Sequence, residues 1–194
     1  LLGCGVAAAV SASFNAPIAG AFFALEVVIG HYALSAFAPV VIASVAGTIV
    51  ARIHLGDFPA FVLGDFELVS FLELPAFALL GVVCAAISVV FMRSILLTRS
   101  VWQRTNVPTW LRPAIGGAAV GALALVLPEI LGVGYEATDR ALHGALPLWL
   151  LIALIGGKIA ATSLSLGSGF VGGVFSPSLF VGAMTGGAFG LIAA

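Results

Sequence analysis

Charge is what this sequence has least of. Asp, Glu, Lys and Arg make up 8% of its 194 residues, against 62% hydrophobic residues. A soluble domain carries about 25% charged residues. So few charges could not coat a globule of this length with solvated side chains. That excludes an ordinary water-soluble fold and makes a bilayer the natural solvent. Lysine is reduced to Lys158 alone and there is no basic run, so no nucleic-acid partner is expected. Cys4 and Cys84 stand singly in apolar segments, with no CxxC neighbour and no His at ligand spacing. Both read as small core residues, and no metal site or cofactor is expected. His31, His54 and His143 are scattered near helix ends, without metal spacing, and read as loop histidines. Residues 1–10 lack the charged start of a signal peptide. The chain opens Leu1-Leu2 without Met and ends inside an apolar stretch. We read residues 1–194 as one partial transmembrane domain, truncated at both ends.

What is present is a series of apolar runs. A helix crossing the hydrocarbon core needs roughly 20 apolar residues, with a range of about 17–25. Residues 1–13 predict a small Ala-rich helix. Residues 17–29 predict an apolar helix too short for a full crossing, carrying Glu26. Residues 34–53, 69–97, 110–131, 146–166 and 174–194 predict further spans, the second long enough to cross at a tilt. Asn15-Ala16-Pro17 reads as a turn, with Asn15 available as a cap and Pro17 in a first helical turn. Residues 132–145 read as a loop holding a short helix around 136–142. The expected class is an all-α integral membrane protein, a bundle of tilted and broken transmembrane helices.

The scarce charges are sorted by sign. Asp57, Asp65, Glu67 and Glu73 fall in the connection 54–73, which holds no Lys or Arg. Arg93, Arg99, Arg104 and Arg112 fall in the connection 93–112. The positive-inside rule puts 93–112 on the cytoplasmic side and 54–73 outside, consistent with one crossing between them. A multi-pass protein of a plasma or inner membrane is expected. Arg52 is the exception, near the outer end of its helix, where it could snorkel or pair with Asp57.

The most informative segment is GSGFVGGVFSP, residues 167–177. It is a glycine-rich turn leading into a helix. Irregular backbone is tolerated at membrane depth only where protein buries it or it lines a watery cavity, and broken helices around a central site are a habit of transporters. Pro177 suits a first helical turn. The amides of Val174 and Phe175 would then be donors at the positive pole of a helix dipole. Such a site can hold a small anion without trapping it. The bland reading is an interhelical turn with packing glycines, and physics alone leaves the two even. There is no GKS or GKT, so a nucleotide loop is disfavoured. Gly116, Gly117 and Gly121, and then Gly182, Gly186 and Gly190 four apart on one face, read as close helix packing.

The order of motifs carries more. GSGFVGGVFSPSLFVGAMTGGAFG, residues 167–190, resembles the GSGGxGGxFxPSLFxGAxxGxxxG stretch of the CLC family of chloride channels and chloride/proton antiporters. Lys158-Ile159-Ala160-Ala161-Thr162-Ser163 resembles that family's K-x-x-A-T-S/T. SFNAPIAGAFFALE, residues 13–26, resembles its FNAPxAGxxFxxE. Gly132-Val133-Gly134-Tyr135 is similar to its GxGY loop. The four matches stand in family order and span nearly the whole chain. They correspond to the middle of the family's membrane domain.

The resemblance implies a CLC-type bundle and a central chloride held by the GxFxP element, here Gly173, Val174, Phe175, Ser176 and Pro177. The coordinating donors are the N–H groups of Val174 and Phe175. Gly167, Ser168, Gly169 and Gly172 support the turn, with Phe170-Val171 standing where the family has Gly-Ser. The family's upstream serine motif, its gating glutamate and its downstream tyrosine find no match in these residues. Family exchangers often carry an acid directly after the glutamate at Glu26, as a proton relay. Here that position is Val27, which cannot carry a proton and favours channel-like passive chloride conduction. Glu26 reads as a structural carboxylate at a helix end. Lys158 could raise the local anion potential or satisfy carbonyls freed by the nearby break. The partners implied are chloride, the lipid bilayer and a second copy, packed through 17–29 and 34–53. The alternatives are a chloride/proton antiporter and, remotely, an intramembrane serine hydrolase with Ser168 as nucleophile and His143 as base. A secondary transporter for another substrate is disfavoured, since no charged pair lies at the site.

Overall fold

The computed structural model describes residues 1–57, 71 and 73–193. The chain divides into two compact units, Leu1–Val62 and Leu63–Ala194. Among the described residues every regular element is helical. Asp65 and Glu67 of the acidic connection, and the expected helix start at 69, lie outside the described residues.

In the N-terminal unit, α1 spans Leu2–Phe14. The helix α2, Pro17–Phe23, opens on Pro17 and runs on into a π-helical turn, Ala24–Ile29. It is followed by α3, Leu34–Leu55. The expected short helix at 17–29 is therefore present but changes its winding halfway. The Gly30 amide bonds back to the Leu25 carbonyl at 2.8 Å, and Gly30 closes the turn at φ 76°. Asn15 is not the N-cap of α2. It ends α1 in the left-handed region at φ 53°, which Asn tolerates better than most residues. Its side chain is thereby turned toward the end of α3, where Arg52 Nε donates to Asn15 Oδ1 at 2.7 Å and Asn15 Nδ2 donates to Asp57 at 2.9 Å. Arg52 pairs with Asp57 at 3.1 Å, as expected for a basic residue at that helix end.

Close approach holds this unit together. Lipid tails are as apolar as Leu, so helices in a membrane associate through packing and interhelical hydrogen bonds. Ala7, Ala21, Ala24, Leu25 and Val40 are buried together. A Cβ on Gly47 would lie 2.8 Å from the Ala8 carbonyl oxygen, so α3 meets the backbone of α1 there. Ser11 and Ser44 share a hydrogen bond of 2.6 Å across the same crossing, and Ser44 Oγ also donates to the Pro17 carbonyl. That last bond ties α3 to the first turn of α2.

In the second unit, α4 spans Glu73–Arg104. Next come α5, Arg112–Val126, and a 3₁₀ turn at Pro128–Ile130. Then follow α6, Tyr135–Leu142, α7, Leu148–Ser168, and α8, Phe175–Ala193. The basic residues Arg93, Arg99 and Arg104 ride on α4 itself, and the connection shrinks to 105–111. A helix of 32 residues is about 48 Å long, well beyond a hydrocarbon core of about 30 Å. Its arginine-bearing end has length to spare outside the core. The expected span at 110–131 also shortens, to the 15 residues of α5. Leu146, Leu151, Leu154, Phe180 and Met184 form the largest buried cluster, which joins α6, α7 and α8. Ser94 and Ser163 tie α4 to α7 with a 2.7 Å hydrogen bond.

The glycine expectation divides. Gly116 lies against Ser168, and Gly117 lies 3.4 Å from Phe170 for an added Cβ, so both pack as expected. Gly121, Gly182, Gly186 and Gly190 face open space among the described residues. The stripe on α8 packs loosely: Gly182 shares a small cavity with Cys84, Ile87, Ser88 and Phe91 of α4, and an added Cβ at Gly182, Gly186 or Gly190 would meet nothing within 4 Å among the described residues.

These contacts predict a difference between two glycines of the first unit. Gly47→Val should lower stability by about 1–3 kcal/mol through overpacking, read as a fall in melting temperature in detergent. Gly5→Ala, in open space, should not lower it.

Candidate functional site

The site is built where α7 ends. Gly169 takes φ 104°, which glycine adopts without strain. Its amide bonds the Leu166 carbonyl at 3.3 Å, and the Phe170 amide bonds Ser165 at 3.2 Å. The C-terminal carbonyls of α7 are thus partly satisfied by the chain that leaves it. Residues 169–174 are non-helical, and α8 begins at Phe175 with Pro177 in its first turn. The expected irregular run is real but starts two residues later and ends one later, since Gly167 and Ser168 are the last residues of α7 and α8 begins at Phe175. Gly167 lies against Thr98, whose Cγ2 would be 2.5 Å from an added Cβ. Ser168 is buried and donates to the Ser165 carbonyl at 2.9 Å.

A cavity of about 220 Å³ opens beside this break. Gly172, Gly173 and Pro177 line it on one side, and Ile130, Gly132 and Lys158 on another. Among the described residues Lys158 is the one ionisable group in its wall, and none of those lining it is a carboxylate. Val174, Phe175 and Ser176 are not among its walls. The side chains of Val174 and Phe175 are partly exposed, at 46% and 40%. Within α8 the Val174 carbonyl accepts from the Ser178 amide at 2.9 Å and from Ser178 Oγ at 2.7 Å.

Lys158 is 3% exposed. Its ammonium donates to the carbonyls of Ile130 and Gly132, each at 2.8 Å. It also sits 4.7 Å from the centroid of the Phe180 ring. The carbonyl role weighed from sequence is therefore present, but the oxygens belong to the loop after α5 and not to the break next to Lys158. Nothing in the spacing pointed to that loop except the motif at 132–135, which had no assigned task.

Glu26 and Val27 lie in the π-helical turn of the N-terminal unit, and both are exposed there. Glu26 accepts a long hydrogen bond, 3.4 Å, from the Tyr32 hydroxyl. The Ser168–His143 arrangement is not formed through hydrogen bonds. Ser168 is turned to Ser165, while His143 Nδ1 contacts the Asp139 carbonyl at 2.8 Å. Among the described residues no three His, Cys, Asp or Glu side chains group as metal ligands would.

The voltage gated chloride channel family matches residues 1–194, the whole chain. This chain belongs to that family. Chloride channel protein CLC-f of Arabidopsis thaliana is 37% identical over 98% of this chain and 26% of its own length. A putative chloride channel protein, ClcB-like, of Ralstonia nicotianae is 37% identical over 96% of this chain and 43% of its own. The H(+)/Cl(-) exchange transporter ClcA of Vibrio cholerae is 32% identical over 100% of this chain and 42% of its own. The chain thus spans less than half the length of these relatives. Among the described residues four helices, α3, α4, α7 and α8, are long and apolar enough to cross a membrane. As a member of this family it is a multi-pass membrane protein.

The hydrogen bonding of Ser168 predicts that a fluorophosphonate probe for activated serines leaves the protein unlabelled, as read by mass spectrometry. Labelling at Ser168 would restore the hydrolase reading.

Proposed function

We propose that this chain supplies the anion-binding turn of a chloride pathway, and that chloride moves through it passively, down its gradient. The observation that carries the reading is the break between α7 and α8. Non-helical backbone at 169–174 adjoins a cavity walled by Gly173, Pro177 and Lys158, with no carboxylate among the described residues that line it. An anion entering such a space loses its hydration shell. Main-chain donors at the start of a helix compensate that loss without the deep trap a bare pair of cations would make. The Val174 and Phe175 amides are the donors we assign, with Gly173, Ser176 and Pro177 shaping the turn. Gly167, Ser168, Gly169 and Gly172 fix its approach. Chloride is the ligand.

Val27 supports conduction over exchange, because it offers no proton acceptor where family exchangers often have one. Proton-coupled exchange is the second reading. It is favoured by the 32% identity to a relative named as a H(+)/Cl(-) exchange transporter. We further propose a homodimer through 17–29 and 34–53. Ile18, Phe22, Val27, Ile42, Val45 and Ile49 leave apolar surface on those helices, which a second copy or lipid would cover. The arginines on the last turns of α4 support a cytoplasmic position for that end.

Flux of the full-length protein in liposomes tests the reading. Chloride should run down its own gradient at a rate indifferent to an imposed pH gradient. Uphill chloride movement driven by protons would replace conduction with exchange.

A further inference from the structure

Lys158 has more partners than a charge that merely raises a potential requires. Its ammonium carries three donors, and two are spent on Ile130 and Gly132 at 2.8 Å. Those residues belong to one short segment, 130–134, which the helix α8 touches twice more. Ser176 Oγ donates to the Val133 carbonyl at 3.3 Å. Gly134, at φ 83°, lies so close to Phe180 that an added Cβ would be 2.5 Å from its Cδ2. The ring of Phe180 in turn lies beside the ammonium, 4.7 Å away. The contacts close a circuit: α7 through Lys158 to the segment, the segment through Val133 and Gly134 to the first turns of α8, and α8 through Phe180 back to Lys158.

Three of these residues line the cavity that adjoins the candidate site. Ile130, Gly132 and Lys158 share a cavity wall with Gly173 and Pro177. Carbonyl oxygens free in that wall would repel an anion, since their negative ends would point at it. Bonded to an ammonium, they are turned to the lysine and their charge is offset. A buried ammonium, for its part, is costly unless hydrogen-bonded, and these two carbonyls lower that cost.

Resting on the anion reading above, we propose that Lys158 is a positioning residue. It pins segment 130–134 against the start of α8, sets the angle at which the anion turn is presented, and withdraws two carbonyl oxygens from the cavity. It acts through the segment, not as a ligand. Breaking the segment's seat on α8 therefore has the same effect on anion binding as removing the ammonium.

The test is chloride titration of the full-length protein in detergent by calorimetry, with nitrate over chloride selectivity measured in liposomes and melting temperature as the folding control. Lys158→Met should weaken chloride by about tenfold or more and blunt selectivity. Lys158→Arg, which can still donate to both carbonyls, should remain close to wild type. Gly134→Ala keeps the charge but collides with Phe180, and should shift affinity and selectivity in the same direction as Lys158→Met. The double variant should be clearly less than additive. Weakened binding in Lys158→Met with unaltered binding in Gly134→Ala would overturn the proposal in favour of a bare electrostatic effect. A lower melting temperature with unchanged chloride affinity and selectivity in both variants would overturn it in favour of a purely structural lysine. Should Lys158→Met fail to fold, Gly134→Ala decides alone by the same criterion. Absence of chloride binding in the wild-type protein would instead remove the anion reading itself.

Discussion

Peptide groups that leave a helix inside hydrocarbon have no water to turn to, and each one left unpaired costs several kcal/mol. At the break between α7 and α8 several backbone groups find partners within the protein. Gly169 and Phe170 hand their amides back to the end of α7. Ser178 returns both its amide and its hydroxyl to Val174. Two carbonyls of the facing loop are taken by Lys158 and a third by Ser176. Among the described residues no buried side-chain nitrogen or oxygen is left without a partner.

The same economy shapes the packing. Apolar contact gains little over lipid, so the helices approach where small residues and hydroxyls allow it. Ser11 with Ser44 and Ser94 with Ser163 are bonds across helix crossings, one in each unit. Each is worth roughly 0.6 kcal/mol on average in a membrane, so their value is as much register as stability. Gly47 meets the backbone of Ala8, while Gly116 and Gly167 leave room for the side chains of Ser168 and Thr98. Gly116 and Gly167 both fix the end of α7, immediately before the chain breaks.

Much of this was legible in the residues. Apolar runs gave the helices, proline and glycine gave the breaks, and the motif order gave the family. Elsewhere a local signal was absent or misleading. The π-helical turn at Ala24–Ile29 has no composition of its own, since the same apolar residues would serve an α-helix. Asn15 is a cap, but the local sequence does not say of which helix, and its tolerance of positive φ puts it at the end of α1. Arginine suggested a connection at 93–112, but a protruding helix end solvates Arg99 and Arg104 as well as a loop does. The stripe at Gly182, Gly186 and Gly190 reads as a tight packing seam, and only the placement of neighbours shows that α4 approaches Gly182 across a small cavity and that no described atom lies within 4 Å of an added Cβ on any of the three. Lys158 was the hardest to read. Its partners lie 28 and 26 residues away in the chain, a distance over which no periodicity speaks.

The central claim is that an anion sits before the first turn of α8. Crystals of the full-length protein grown in bromide test it directly, since bromide scatters anomalously where the protein does not. The account predicts an anomalous peak within hydrogen-bonding reach of the Val174 and Phe175 nitrogens. A peak elsewhere in the pathway with none at this turn, or peptide nitrogens there already bonded to protein carbonyls, would contradict it.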